Sequence, residues 1–205
     1  MRVLAADTET TGLPNFRLPA DDLSQPRMIQ IAAKLYDVER QCARSLVSLI
    51  KPDGWEMDDV LAEKLGNGLI HSRLEAEGRP VAEVLAEYSA MVDEADLFVA
   101  YGCAFDLKIL RGELRRAGLP DRYGDLPNFC VMRAATPLCK MAPTEAMLAS
   151  GRKWSKTPKL IEAFEILLGR KLEGAHDALA DLDATVDLLW WMIANGHGPK
   201  WGVEP

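Results

Sequence analysis

The order of the predicted secondary-structure elements constrains the fold most strongly, because strand-forming segments lie early in the chain and the longest helical segments lie late. Short apolar runs predict strands over residues 2–6, 28–37, 44–50, 97–100 and 128–132. Helical periodicity and breaker residues predict helices over residues 58–65, 80–91, 104–117, 158–168 and 177–194. This order favours an α/β fold in which a mixed sheet is flanked by helices.

Size and composition predict one folded domain. The chain has 205 residues and is 48% hydrophobic, which is enough to bury a core. We expect the domain to span residues 1–195 and residues 196–205 to form a loosely held C-terminal tail.

The charge and the cysteines restrict the classes of function. A formal net charge of -7 argues against a protein that binds nucleic acid through a broad basic surface, but it does not exclude an enzyme whose acidic site holds divalent cations. The chain shows no signal-peptide pattern and no apolar run that would span a bilayer, so no membrane association is expected. The cysteines form no CxxC pair, which favours buried, reduced thiols in a cytoplasmic protein.

Two acidic residues lie at the end of the first predicted strand. Asp7 and Glu9 are two residues apart, so their side chains lie on the same face of the strand. Two carboxylates about 4 Å apart repel each other by roughly 4 kcal/mol at an effective dielectric constant near 20. A divalent cation would offset this repulsion, and the alternative is a solvated pair of acids at a strand end.

A third acidic residue, Asp106, follows the apolar segment at residues 97–100 and lies near the start of the next predicted helix. The helix dipole favours an acid in the first turn, so the residue type alone is compatible with helix capping and with a site role.

The last predicted helix carries a fourth acid near its inward face. At about 100° per residue, Asp181 aligns with Thr185, Leu188 and Met192, and an acid on that largely apolar line is costly unless it is paired or bound to metal. His176 directly precedes this helix. His71 and His197 are expected to be surface or capping residues.

Together, these segments resemble the motifs of the DEDDh (DnaQ-like) 3'–5' exonucleases. The segment Asp7-Thr8-Glu9-Thr10-Thr11-Gly12-Leu13 is similar to the first motif, Phe105-Asp106 to the end of the second, and His176-x-Ala178-x-x-Asp181 to the third. The resemblance covers residues 2–193. It implies an RNase H-like fold with a central mixed five-stranded sheet flanked by helices.

The resemblance also implies a mechanism. Asp7, Glu9 and Asp181 would hold one of two Mg²⁺ or Mn²⁺ ions, and Asp7 and Asp106 would hold the other, directly or through water. Two such ions stabilise the attacking and leaving oxygens of a displacement. His176 would act as general base toward the attacking water. The products would be nucleoside 5'-monophosphates released from single-stranded DNA 3' ends.

Substrate contacts are implied for the first and second motifs. Residues 8–13 lie beside the expected metal site, with Thr8 adjoining both motif acids. Thr10, Gly12 and Leu13 would hold the terminal nucleotide, and Leu13 and Phe105 would lie against its base. Base contacts of this apolar kind tolerate different sequences.

Two segments depart from the family pattern. Tyr101-Gly102 stands where the family usually has His-Asn, and Asn67-Gly68-Leu69 stands where it often has His-Gly-Ile. These positions bear on substrate preference more than on metal binding.

Other interpretations remain open at this point. Lys153, Trp154, Lys156 and Lys159 either guide a nucleic-acid strand or belong to an ordinary solvated loop. The same catalytic set serves RNA-trimming exoribonucleases, and a catalytically silent nucleic-acid-binding accessory domain would share the fold. The sequence indicates no polymerase partner and does not fix the oligomeric state.

Overall fold

A five-stranded mixed sheet forms the centre of the protein, as predicted. The computed structural model describes residues 1–37, 39–66 and 68–200, with only the backbone of Leu65. The strands are β1 (Val3–Thr10), β2 (Met28–Tyr36), β3 (Cys42–Leu49), β4 (Leu97–Ala100) and β5 (Asn128–Cys130). Their order across the sheet is β3-β2-β1-β4-β5. β1, β2 and β3 are antiparallel neighbours, whereas β4 runs parallel to β1 and β5 runs parallel to β4.

Helices cover both faces of this sheet. They are α1 (Asp59–Leu65), α2 (His71–Glu77), α3 (Val81–Glu94), α4 (Cys103–Arg116), α5 (Val131–Cys139), α6 (Glu145–Ala149), α7 (Leu160–Leu168) and α8 (Ala178–Ala194). Parallel strands require long connections, and helices supply them here between β3 and β4 and between β4 and β5.

The alternation of side chains along β1 explains the two main hydrophobic layers. Leu4 and Ala6 pack into one buried cluster with residues of α3 and α4. Val3 and Ala5 pack into the other, with residues of α5, α7 and α8. Because the period of a strand is two, Asp7 and Glu9 continue the second face, which is the face covered by α8.

The structure corrects the prediction for residues 128–155. The sequence pattern predicts a strand to residue 132 and no helix between residues 117 and 158, but β5 ends at Cys130, α5 follows at once, and α6 also lies in this interval. α5 contains Pro137, a residue that argues against a helix interior, although Val131, Ala135 and Cys139 form a buried line at helical spacing, and α6 has only five residues. α2 was also not predicted, because Leu74 is its one buried residue.

Four further expectations concern the C-terminal tail, the domain boundary, the cysteines and membrane association. His197 stacks on Trp191 with ring centroids 6.5 Å apart, so the start of the tail contacts the domain. Residues 201–205 lie outside the described part, and the proposed boundary at residue 195 stays a prediction. All four cysteines are free, but Cys42 is exposed and not buried as expected. Among the described helices, none is both long enough and apolar enough to cross a membrane.

Candidate active site

The end of β1 places two acids over α8. Asp7 lies opposite Ala32 of β2, and Glu9 lies opposite Gln30. The strand continues to Thr10, where a bulge between Glu9 and Thr10 ends the regular pairing. The Thr10 hydroxyl then donates a hydrogen bond of 2.6 Å to the carbonyl of Gly12, which fixes the turn that follows the acids.

Asp106 reaches the same site from the first turn of α4, at the carboxyl end of β4. Its side chain is 4% exposed and accepts a hydrogen bond of 3.0 Å from the hydroxyl of Thr8. The N-cap of α4 is Gly102, so Asp106 is not the capping residue. Asp106 therefore lies in the first turn, where the helix dipole favours an acid, but it forms no capping bond in the described part of the chain and faces the strand that carries the other acids.

Asp181 lies in the first turn of α8, which begins after the N-cap residue Asp177. Its Oδ2 accepts a hydrogen bond of 3.3 Å from the backbone N–H of His176, while its Oδ1 is buried without a hydrogen-bond partner. The prediction that Asp181 lies in line with inward-facing residues of this helix is confirmed, because Thr185, Leu188 and Met192 are all buried. His176 adopts a left-handed conformation with φ of 71°, and its side chain is exposed.

Gln30 joins the sheet to this helix start and was not predicted. Its amide nitrogen donates to the Asp177 carboxylate at 3.0 Å, and its amide oxygen accepts from the N–H of Ala178 at 3.1 Å. Asp177 in turn caps α8 through the N–H groups of Leu179 and Ala180. These bonds fix the position of the segment that carries His176 and Asp181. A glutamine in the otherwise apolar start of β2 was the available signal.

Most of the predicted site residues lie around one open cavity of about 260 Å³. The lining residues come from β1, from the start of α4 and from α7 and α8: Asp7, Thr8, Glu9, Tyr101, Gly102, Phe105, Asp106, Leu160 and Asp181. His176, Thr10, Gly12 and Leu13 do not line it. Thr10 is buried in its turn, and Leu13 is 87% exposed beside it.

Burial raises the pKa values of the four acids, and repulsion by the other site acids adds to this effect at Asp7 and Glu9. Loss of hydration, followed by the charge of Asp181, raises the pKa of Glu9 from 4.5 to about 7. Burial and then the charges of Asp106 and Asp181 hold the pKa of Asp7 well above its usual range. Burial likewise raises the pKa of Asp106, against the opposing hydrogen bond from Thr8, and burial raises that of Asp181.

The donor set fits divalent cations. Glu9, His176 and Asp181 each offer a ligand atom, and these atoms lie within 4.8 Å of one another. Asp181 Oδ1 is buried without a partner, and within the described ranges no lysine or arginine side chain bonds to any of the four acids. Hard, oxygen-rich sites of this kind suit Mg²⁺ and Mn²⁺.

The segments that depart from the family pattern play structural parts. The Tyr101 hydroxyl donates a hydrogen bond of 2.8 Å to the carbonyl of Pro158, and this ties the cavity wall to the chain just before α7. Leu69 is buried against Met57 and Leu74 in a separate apolar cluster. Asn67 lies outside the described residues.

His71 agrees with the expected surface or capping role, whereas one residue of the basic loop is paired within the protein. His71 is the first residue of α2, where its Nδ1 accepts a hydrogen bond of 3.3 Å from the N–H of Met57. Lys156 pairs with Glu162 at 2.5 Å, so it is not free to contact a substrate, whereas Lys153 and Trp154 are exposed.

Comparisons with known proteins agree with this geometry. Residues 4–189 match the family described as Exonuclease. Among solved structures, the zinc-bound complex of E. coli exonuclease I with single-stranded DNA matches with a TM-score of 0.70 and 21% identity, covering 94% of this chain and 40% of that chain. The complex of the same enzyme with a dT13 oligonucleotide matches with a TM-score of 0.68 and 20% identity, over 93% and 40% of the two chains.

This chain therefore spans about two fifths of the length of these exonuclease I chains. The comparison with curated protein sequences gives no match. At this identity the structural likeness concerns the fold, whereas the family match covers nearly the whole chain. The chain belongs to the exonuclease family of divalent-metal-dependent nucleases, of the DEDDh type, and has its RNase H-like fold.

Proposed function

We propose that this protein is a 3'–5' exonuclease that releases nucleoside 5'-monophosphates from the ends of single-stranded DNA, as a proofreading or repair enzyme does. The observation that carries the proposal is the convergence of four acids from β1, α4 and α8 at one open cavity without a basic partner in the described chain. Carboxylates without a basic partner can bind divalent cations from solution, and the bound cations would attract a phosphate group.

Two Mg²⁺ or Mn²⁺ ions would bind the four carboxylates, one held by Asp7, Glu9 and Asp181 and the other by Asp7 and Asp106. When bound, they would neutralise these acids and stabilise the negative charge that develops on the attacked phosphate.

His176 would act as the general base. The backbone N–H of His176 donates a hydrogen bond to Asp181, and this bond and the left-handed backbone hold the residue beside the acids. Its imidazole is exposed to water. A neutral imidazole is the side chain that most often takes a proton from a reacting water in enzymes, which suits a histidine in this position to the role. Gln30 and Asp177 would act as positioning residues, because they fix the segment that carries His176.

The terminal nucleotide would lie between β1 and α4. Phe105 lines the cavity and Leu13 projects into solvent beside the turn, so both are available to contact a base. Thr8, Thr10 and Gly12 would support that contact by shaping the strand end and its turn. The E. coli exonuclease I structures with single-stranded DNA support DNA as the substrate.

An RNA-trimming activity on the same fold is the second candidate, because the site residues do not distinguish the sugars. The test is an incubation of DNA and RNA oligonucleotides, labelled at either end, with and without Mn²⁺. We expect immediate release of the label from 3'-labelled DNA as a mononucleotide, a descending ladder from 5'-labelled DNA, and no product with Asp7→Asn. Product that begins at the 5' end would reject the proposed direction, and no product from either polymer would reject the proposal and favour an accessory domain. A cytoplasmic location stays a prediction.

A further inference from the structure

A closed loop lies next to the cavity and takes no part in the catalytic site. Residues 141–156 leave and return at one point, where the N–H of Lys156 donates to the carbonyl of Met141 at 3.2 Å. The loop contains α6, which is capped by the hydroxyl of Thr144. Compact surface loops whose ends meet in this way frequently carry function.

The base of this loop adjoins the cavity wall. Two residues after Lys156, the carbonyl of Pro158 accepts the hydrogen bond from the hydroxyl of Tyr101, and Tyr101 and Leu160 both line the cavity. Pro158 itself is buried. A single nucleic-acid strand that leaves the cavity on the side of α7 would therefore contact the loop.

The charge of this region is opposite to that of the whole chain. Residues 140–159 contain one acid, Glu145, and five basic residues, whereas the chain carries a formal charge of -7. The basic residues are Lys140, Arg152, Lys153, Lys156 and Lys159. Lys156 pairs with Glu162, but Lys153 is exposed and forms no ion pair with any residue that the structure describes. Positive charge beside an acidic site suits a phosphate backbone.

The loop also exposes an aromatic ring. Trp154 is 65% exposed, and in the described ranges it has no aromatic or cation–π partner. Leu148 in the same loop is 53% exposed. Burial in the core does not account for an indole in this position, whereas a flat ring flanked by basic side chains is the pattern that binds unpaired bases.

We propose that residues 141–156 bind the nucleotides upstream of the terminal one in a single strand. Trp154 stacks on a base, and Arg152 and Lys153 contact phosphates. This proposal deepens the proposed function and rests on it. It assigns the loop a role in holding longer single strands and none in the hydrolytic step.

Binding is tested in a His176→Ala background with Mg²⁺, using a fluorescein-labelled oligothymidylate of about 15 nucleotides and anisotropy. We expect Trp154→Ala to weaken binding by about tenfold and Trp154→Phe to retain most of it, since stacking on one base carries such an effect. Lys153→Ala should lower the slope of log K against log salt by about 0.7, which is the value for one phosphate contact on a single strand.

Arg122→Ala is the matched control. Arg122 pairs with Asp93 at 2.9 Å and lies with Ala95 and Leu126 at the end of the sheet where β4 and β5 begin, whereas the cavity adjoins the end of β4. Its removal deletes one exposed cation and should leave binding unchanged. If Trp154→Ala binds the oligonucleotide as tightly as its parent does, or if Arg122→Ala loses as much affinity, the loop assignment is wrong and a protein partner becomes the better occupant.

A second measurement separates this proposal from the proposed function. The p-nitrophenyl ester of thymidine 5'-phosphate has a nucleotide for the cavity and no upstream nucleotide for the loop. Trp154→Ala in the otherwise wild-type protein should therefore hydrolyse it at the wild-type rate while losing about tenfold in kcat/KM on the oligonucleotide. Equal losses on both substrates would overturn the loop proposal. If wild-type protein hydrolyses neither substrate, the exonuclease proposal fails, and the binding measurement still decides the role of the loop.

Discussion

Two carboxylates on one helix are both buried, but only one of them is paired with positively charged side chains. Asp106 and Glu113 are seven residues apart on α4, which is two turns, so they share a face toward the sheet. Asp106 is 4% exposed and Glu113 is 1% exposed. Asp106 accepts a hydrogen bond from the hydroxyl of Thr8 and lies near the other site acids, whereas Glu113 accepts hydrogen bonds from a positively charged arginine.

Two arginines and one backbone N–H surround the carboxylate of Glu113. Arg27 donates to it at 3.0 and 3.2 Å, Arg116 lies 2.9 Å away, and the N–H of Met28 donates at 3.1 Å. Burial alone would raise the pKa of Glu113, but these arginine bonds outweigh it and the pKa lies below its ordinary value. The pKa of Asp106 is shifted in the opposite direction. A buried acid with protein cations serves the fold, and buried acids without them can accept cations from solution.

The largest effect is expected from removing a site acid. Asp7→Ala or Asp181→Ala should lower the rate of nucleotide release by at least about 10³-fold, since loss of one charge-stabilising group already costs 10²–10³-fold in other enzymes. Neither change should unfold the protein, because each removes repulsion. Asp183→Ala is the matched control: it lies two residues from Asp181 on α8, is exposed, and pairs with Lys34. Wild-type rates in either site variant would defeat the metal-site assignment.

The second prediction is that removing the charge of Glu113 destabilises the protein, whereas removing the charge of Asp106 on the same helix does not. Glu113→Ala leaves Arg27 and Arg116 without their buried partner and should lower the free energy of unfolding by about 3–5 kcal/mol. Asp106→Asn removes a buried charge and keeps an acceptor for Thr8, so in EDTA it should not lower the free energy of unfolding. Denaturant unfolding of both variants measures the contrast. Equal destabilisation would mean that Asp106 is a structural acid like Glu113.

The sequence predicted the site better than it predicted its supports. Strand alternation placed Asp7 and Glu9 on one face, and helical periodicity placed Asp181 beside a buried line, because both patterns are local. Gln30 and Glu113 act through partners far along the chain, at Asp177 and Arg27, and no local pattern in a single sequence identifies such pairs.

The missed helices have a related cause. α2 buries one side chain and α6 buries none, so their formation depends on local capping and on the surfaces they cover more than on an apolar stripe. The mixed five-stranded sheet was predicted through the family resemblance, whereas the order of elements alone predicted only a mixed sheet with helices around it.

The third prediction concerns His176, which lies among the acids without being one. His176→Ala should lower turnover by about 10²-fold or more, the usual contribution of a general base, while the metal-induced rise in Tm persists. His176→Asn is the matched variant, because asparagine tolerates the left-handed backbone at φ of 71° better than alanine does. An equal loss of metal affinity in both variants would make His176 a ligand together with Glu9 and Asp181, as the 4.8 Å cluster also permits.

The smallest effect, and the one that depends most on conditions, is the stabilisation by metal. Ligands that bind only the native state add about 2.7 kcal/mol at a hundredfold excess over Kd, so Mg²⁺ or Mn²⁺ should raise Tm. Asp183→Ala should keep this rise, and Asp181→Ala should lose most of it. No shift at any metal concentration would argue against a preformed acidic site.

The size of this metal effect should follow pH. Burial raises the pKa of Glu9 from 4.5 to about 7, so the folded protein binds that proton more tightly than the unfolded chain does. An acid of this kind favours folding at low pH, and its contribution is lost as the pH rises from 4.5 through about 7. Metal-free protein should therefore become less stable over this range. Protons compete with the cation at the same oxygens, so the rise in Tm with Mg²⁺ should be larger near pH 8 than near pH 5. A rise of equal size at both pH values would show that the cation binds elsewhere, away from the acids that distinguish this site from Glu113.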